Sequence, residues 1–170
     1  TTKGGYSPAQ LLENQAGATA RAMGFSEIIT YSFVSPTIFD RIRIPADSPL
    51  RNTLKIQNPL GEDTSVMRTT ALPSMLEILA RNYAFHNKDV QLYELAKIYL
   101  PREDSPLANE PKVFVFGAYG PHTTFYSLKG QVEALLRQLN IRPAEFTAQR
   151  ENPSYHPGRC AELTIDGKPY

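Results

Sequence analysis

The chain contains a single cysteine, Cys160, and no tryptophan. One thiol cannot close an internal disulfide, so the fold does not rest on cross-links, and sparse thiol usage fits a reducing, cytoplasmic setting. Charge of one sign is not in excess: 18 Lys and Arg stand against 17 Asp and Glu, a formal net charge of +1. A surface that neutralises a nucleic-acid backbone needs a local cationic excess, and the overall balance offers none. Every apolar run falls short of the ~20 residues that a membrane-spanning helix requires. Internal repeats and low-complexity tracts are missing too. What is there is 170 residues, 41% hydrophobic and 21% charged, the make-up of a globular protein. A domain of this size buries roughly 70% of its unfolded surface and needs neither metal nor disulfide to hold a core.

Chemical motifs are equally sparse. There is no G-x-x-x-x-G-K loop for phosphates and no G-x-G-x-x-G after a strand. His86, His122 and His156 are widely separated, and none sits beside Cys160 at a zinc-type spacing. No nucleophile elbow is visible. On the residues alone, no catalytic, cofactor-binding or metal-ligating set emerges.

The local signals are more informative. Ser7, Pro8 and Gln10 form an N-terminal capping box, and Ala9, Leu12, Ala16, Ala20 and Met23 make one stripe of a helix that Gly24 stops. The β-branched and aromatic run Glu27–Val34 predicts a strand, and Ser35-Pro36 starts a short helix through Arg41. A loop at Asp47–Arg51 precedes a short strand, Leu54–Gln57, halted by Asn58-Pro59. After the polar loop Gly61–Thr64, a second helix runs from Pro73 to Asn87, with Leu72, Met75, Leu76, Leu79 and Tyr83 as its buried stripe. Val90–Leu100 reads as a long central strand, apolar on both faces and so covered on both. Val113–Tyr119, a helix over Tyr126–Leu139, and strands Ala144–Gln149 and Ala161–Ile165 follow. Asp166-Gly167 is a type I′ hairpin signal. This order favours an α+β fold, an antiparallel or mixed sheet with helices on one face, over a doubly wound parallel sheet.

Four places carry candidate site residues. Glu94 interrupts an apolar face of the long strand; a buried carboxylate needs a partner or a proton, and Arg68 and Arg81 are candidate partners. Arg68 could hold an anion or fix the loop before the second helix. Asn58-Pro59 is a turn initiator, and His156-Pro157-Gly158-Arg159 is a rigid turn with exposed polar tips. All are assigned structural or interface roles rather than catalytic ones.

Seven segments, taken in order, resemble the bacterial phenylalanyl-tRNA synthetase beta subunits. They are Gly24–Phe33; Asn58-Pro59-Leu60 with Ser65–Thr69; Leu72–Leu76; Asn82; Leu92–Leu95; Phe125–Gly130; and Tyr155–Ala161. The resemblance implies the class II aminoacyl-tRNA synthetase fold, an antiparallel or mixed sheet flanked by helices. It implies that residues 1–170 are a single truncated synthetase-like core domain, the C-terminal part lying beyond Tyr170. It also implies a catalytically silent role: the family's alpha subunit carries the active site, and the beta core packs against it in a heterotetramer of two alpha and two beta chains. ATP, magnesium and the phenylalanine tRNA then belong to the whole enzyme. An active class II strand ends in Arg-x-Glu, with the arginine on the ATP α-phosphate, whereas this strand ends Tyr99-Leu100-Pro101 and Arg102-Glu103 fall in the loop beyond. Adenylation needs cations on the triphosphate. Tyr31, Phe33, Tyr93 and Tyr99, on strand faces opposite the core stripes, are expected to form an aromatic patch that alpha covers. Two rival readings are a synthetase paralogue binding an amino acid or adenylate, and a direct tRNA-binding module, which the charge balance opposes.

Overall fold

The structure is a computed structural model that describes residues 4–170, so Thr1, Thr2 and Lys3 of the N-terminal run lie outside the described residues. Helix α1 spans Pro8–Ala22 and begins as its sequence predicts. The Gln10 N–H donates to Ser7 Oγ at 3.3 Å, and the Ser7 N–H donates to Gln10 Oε1 at 2.9 Å. Its buried residues are the small ones, Ala16, Gly17 and Ala20, while Leu12 of the expected stripe is exposed. Small side chains allow the closest approach to the sheet: a Cβ at Gly17 would stand 3.2 Å from Tyr93 Oη.

The strand expected over Glu27–Val34 is broken in two. Strand β1 is Ser26–Glu27 and strand β2 is Phe33–Val34, and they belong to different sheets. Between them the backbone polar groups are taken up one at a time rather than by a ladder. The Ile28 N–H donates to Tyr93 O at 2.9 Å, the Thr30 N–H to a Glu94 side-chain oxygen at 3.1 Å, and Ser32 O accepts from the Arg68 N–H at 2.9 Å. Helix α2 (Ile38–Arg41) and strand β3 (Val66–Met67) follow, with β3 antiparallel to β2. The strand expected at Leu54–Gln57 is reduced to a bridge between Lys55 and Val66. Single 3-10 turns occupy Pro49–Arg51 and Glu62–Thr64. Val34, Ile38, Phe39 and Val66 close a small core of their own.

Helix α3 spans Leu72–Ala84. Pro73, Ser74 and Met75 are buried, but Leu76 and Tyr83 of the expected stripe are exposed, which corrects the reading of that stripe as core. Strand β4 runs Val90–Lys97, shorter than the expected Val90–Leu100 because Leu100 keeps only a bridge to Asn109. Strand β5 is Lys112–Tyr119. Helix α4, Phe125–Gln138, opens with a second capping box, Thr124 with Ser127. Strands β6 (Ala144–Ala148), β7 (Ala161–Ile165) and β8 (Lys168–Pro169) form a separate antiparallel sheet. Its last turn is the expected two-residue hairpin, with Asp166 at φ 49° and Gly167 at φ 74°, both in the left-handed region that a type I′ turn demands.

The main sheet has the order β1-β4-β5, with β1 parallel to β4 and β5 antiparallel to it. It is therefore mixed, and β4 is central. Cross-strand partners share a face, so Tyr93 lies with Phe116 and Leu95 with Phe114, whereas Leu92 lies with Gly117 and Glu94 with Val115. The Tyr93 face packs on Ala20, Phe25 and Leu128, under α1 and α4. The Leu92 face meets α3, whose Met75 and Leu79 press on Gly117. Helices cover both faces, not one as the element order suggested. The reason is that α3 enters from β3, outside this sheet, and reaches the face that α1 leaves open.

Candidate functional site

The one buried charged cluster among the candidates is Arg68–Glu94. It follows from where three parts of the chain meet. Glu94 sits in the middle of β4, on the α3 face. Arg68 is the residue after β3, and its backbone is tied on both sides: its N–H donates to Ser32 O and its C=O accepts from the Tyr99 N–H, each at 2.9 Å. The side chain is thereby aimed under the sheet edge. There its Nε donates to Lys97 O at 2.9 Å, its Nη1 to Thr30 Oγ1 at 2.6 Å, and its Nη2 to Glu94 Oε1 at 3.2 Å. Thr30 Oγ1 also stands 2.9 and 2.8 Å from the two carboxylate oxygens, so the hydroxyl accepts from Arg68 and donates to Glu94. The Arg68 and Glu94 side chains are only 3% and 4% exposed.

Of the two partners the sequence offered for Glu94, Arg68 is the real one. Arg81 is exposed and lies over the Phe85 ring, 6.0 Å from its centroid. The third member, Thr30, was missed: it sits in what read as an ordinary strand, and only the break after β1 turns it toward β4. Among the described residues no buried side-chain nitrogen or oxygen lacks a hydrogen-bond partner. The cluster is thus a clamp that joins the β1–β2 connection, the end of β3 and the centre of β4, with its donors and acceptors facing one another.

On the opposite face Tyr93 anchors a second network that the sequence did not signal. Its hydroxyl donates to Glu27 Oε2 at 2.8 Å and accepts from Arg21 Nη1 at 2.6 Å. Burial, and then the hydrogen bond to Glu27, push the phenol above its ordinary pKa. Tyr93 is therefore a core residue and not part of an aromatic surface patch, and Tyr99 is half-buried. Tyr31 and Phe33 are the two of the four rings left outside, 83% and 44% exposed. With Ile29, 91% exposed, they line an open cleft of about 700 Å³ beside α3. Arg41 and Glu77 pair across the same cleft at 2.5 Å.

The remaining candidates are dispersed. Asn58 and Pro59 are exposed in the turn after the Lys55 bridge. His156, Pro157 and Gly158 form an exposed turn between β6 and β7, where His156 Nδ1 accepts from the Gly158 N–H at 3.1 Å. Pro157 and Gly158 line a second cleft, against the start of α4. Arg102 is exposed and pairs with Asp104 at 2.6 Å.

Comparison with known proteins agrees with this geometry. The chain is 45% identical over 158 residues to the phenylalanine–tRNA ligase beta subunit of Clostridium tetani, covering 92% of this chain and 20% of that protein. It is 48% identical over 143 residues to the corresponding subunit of Clostridium acetobutylicum, covering 84% of this chain and 18% of that one. The chain thus spans about a fifth of the length of these curated relatives. In three dimensions it resembles a pyrrolysyl-tRNA synthetase from Desulfitobacterium hafniense, with a TM-score of 0.74 at 14% identity, over 95% of this chain and 57% of that one. A second structure of a pyrrolysyl-tRNA synthetase from the same organism gives 0.67 at 13% identity, covering 93% and 54%. At such identities the likeness shows the fold, that of a class II synthetase. The family model described as the phenylalanyl tRNA synthetase beta chain CLM domain matches residues 1–170, and the chain belongs to that family.

Proposed function

We propose that the chain is a non-catalytic core module of a longer beta subunit. It supports ATP-dependent attachment of phenylalanine to its tRNA by packing against the alpha subunit in a two-alpha, two-beta assembly. The observation that carries this reading is the exposed apolar set Ile29, Tyr31 and Phe33. Ile29 and Tyr31 sit next to the buried Arg68–Glu94–Thr30 clamp, on a connection whose backbone the clamp holds in place, and Phe33 opens β2 just beyond it. Exposed apolar side chains grouped on a rigid element mark a protein-binding surface. The rival reading, an amino-acid or adenylate pocket, would rest on Arg41 and Glu77 in the same cleft. Those two side chains neutralise each other and are largely exposed, so they offer a ligand carboxylate or phosphate little.

Mixing the chain with purified alpha subunit is expected to give a complex by size-exclusion chromatography at tens of micromolar, an affinity of roughly −6 to −7 kcal/mol. Replacing Tyr31 by Ala and Ile29 by Asp together is expected to weaken it at least tenfold. No complex, or a complex indifferent to both substitutions, places any alpha contact elsewhere.

The second expectation concerns chemistry. β4 is followed by Ile98-Tyr99-Leu100-Pro101, without a strand-end arginine, and Arg102 is held by Asp104 in the loop. The chain alone is expected to show no phenylalanine-dependent ATP–pyrophosphate exchange. Exchange above background that Arg102→Ala abolishes would overturn the non-catalytic reading.

A further inference from the structure

The connection between β1 and β2 has a second, open side. Its burial alternates residue by residue: Ile28, Thr30 and Ser32 are half-buried, whereas Ile29 and Tyr31 are 91% and 83% exposed. Such period-two alternation is that of an extended strand. The inward main-chain groups are taken: the Ile28 N–H by Tyr93 O, the Thr30 N–H by Glu94, and Ser32 O by the Arg68 N–H. Successive residues of an extended chain point their N–H and C=O groups to opposite margins. Those of Ile29 and Tyr31 therefore point away from β4, and among the described residues they enter no hydrogen bond. Edge strands are normally blunted by charge or proline, and Ile28–Phe33 contains neither. The chain bends at Ser32, so the free margin is the stretch from Ile28 to Tyr31.

We infer that this margin pairs with the same margin of a second copy of the chain, as antiparallel strands about a two-fold axis at Thr30. In that register Ile29 stands opposite the partner's Tyr31, and Tyr31 opposite the partner's Ile29. Both are pairs of the hydrogen-bonded kind, so each exchanges two N–H···O=C bonds and every free main-chain group of Ile29 and Tyr31 is used. A two-fold contact needs a surface complementary to itself. Here donors meet acceptors, and an aliphatic side chain packs beside an aromatic one on each side of the axis. A helix has no spare main-chain groups to offer such a margin. Charge does not oppose the approach: the net value is +1, and Arg41 and Glu77 in the adjoining cleft neutralise each other. The clamp already fixes the backbone of the segment, so little ordering entropy opposes pairing. The contact is smaller than those of permanent dimers, and the dimer is therefore concentration-dependent. This pairing does not depend on the alpha contact, although alpha bound at Ile29 and Tyr31 would displace it.

The test is sedimentation velocity of the chain alone, from about 10 μM to about 1 mM. Monomer is expected to give way to dimer and to no larger species, because two-fold pairing consumes the free margin. Amide hydrogen exchange, followed residue by residue by NMR over the same range, is expected to slow roughly tenfold at Ile29 and Tyr31. The amide of Leu60, whose side chain is 97% exposed, should exchange at an unchanged rate. I29K adds a charge to the edge and Y31P removes an N–H from it. Each is expected to raise the dimer Kd roughly tenfold or more, whereas L60K should leave it unchanged, and circular dichroism verifies that each variant is folded. The inference is overturned by a chain still monomeric at about 1 mM, by a dimer that I29K leaves intact, or by a dimer in which the Ile29 and Tyr31 amides exchange as fast as in the monomer. A chain that dimerises but ignores alpha sinks the alpha contact alone, and a chain that binds alpha but never dimerises sinks the pairing alone.

Discussion

Replacing Glu94 by Gln is expected to lower the melting temperature of the chain by on the order of 10 °C. The substitution keeps the shape of the side chain and removes its charge. The Arg68 guanidinium then stays buried, held by Thr30 Oγ1 and Lys97 O but without a counter-charge. Breaking one half of a buried ion pair costs about 3–5 kcal/mol. For a domain of this size each kcal/mol shifts the melting point by about 2–4 °C. Arg68→Met should cost a similar amount, since it strands the carboxylate. The pair Arg68→Met with Glu94→Leu should cost less than the sum of the two, because well-packed apolar residues can replace a buried ion pair at little net loss. Thermal denaturation followed by circular dichroism checks all three. An unchanged melting temperature for Glu94→Gln would mean that the carboxylate is not the counter-charge inferred from the geometry.

The next largest effect is expected at Gly117. It faces α3 from β5, and a Cβ built there would lie 2.5 Å from Met75 Sδ, 2.7 Å from Met75 Cγ and 2.8 Å from Leu79 Cδ1. Met75 is buried, so it has little room to withdraw. Gly117→Val should therefore force α3 away from the sheet, at about 1–3 kcal/mol for an overpacked core. That corresponds to a loss of roughly 2–12 °C in melting temperature. Adding Met75→Ala should return part of the loss, although Met75→Ala alone is destabilising through the cavity it leaves. Additive losses in the double variant would show that the two side chains do not compete for the same space.

How far the sequence disclosed this molecule differs from element to element. The capping box of α1, the hairpin turn at Asp166-Gly167 and the central place of β4 were legible because each depends on neighbours in the chain. The double-sided covering of the sheet was not, because the route by which α3 reaches the Leu92 face depends on β2 and β3 forming a sheet elsewhere. The same non-local cause split the run Glu27–Val34. Its β-branched residues suit a strand, and nothing local reveals that Thr30 is needed by Glu94, 64 residues away. Of the clamp, Glu94 was visible as a charge in an apolar pattern and Arg68 as one possible partner. Thr30 carried no signal at all. The four aromatic rings divided into buried and exposed for a similar reason: Tyr93 faces α1 across Gly17, whereas Tyr31 lies on the connection between sheets, which no helix covers.

The clamp has one more consequence. Strand β1 is only two residues long, so it pairs with β4 no further than Tyr93, apart from the Ile28 N–H on Tyr93 O. Past that point the margin of β4 would present open main-chain donors and acceptors, a template on which a strand of another molecule can add. Arg68 occupies that margin in place of a strand: its Nε takes Lys97 O and its own carbonyl takes the Tyr99 N–H. A residue identified by its ion pair thus also covers a strand edge. Variants that lose it should assemble into β-rich aggregates at temperatures where the remaining fold is still intact.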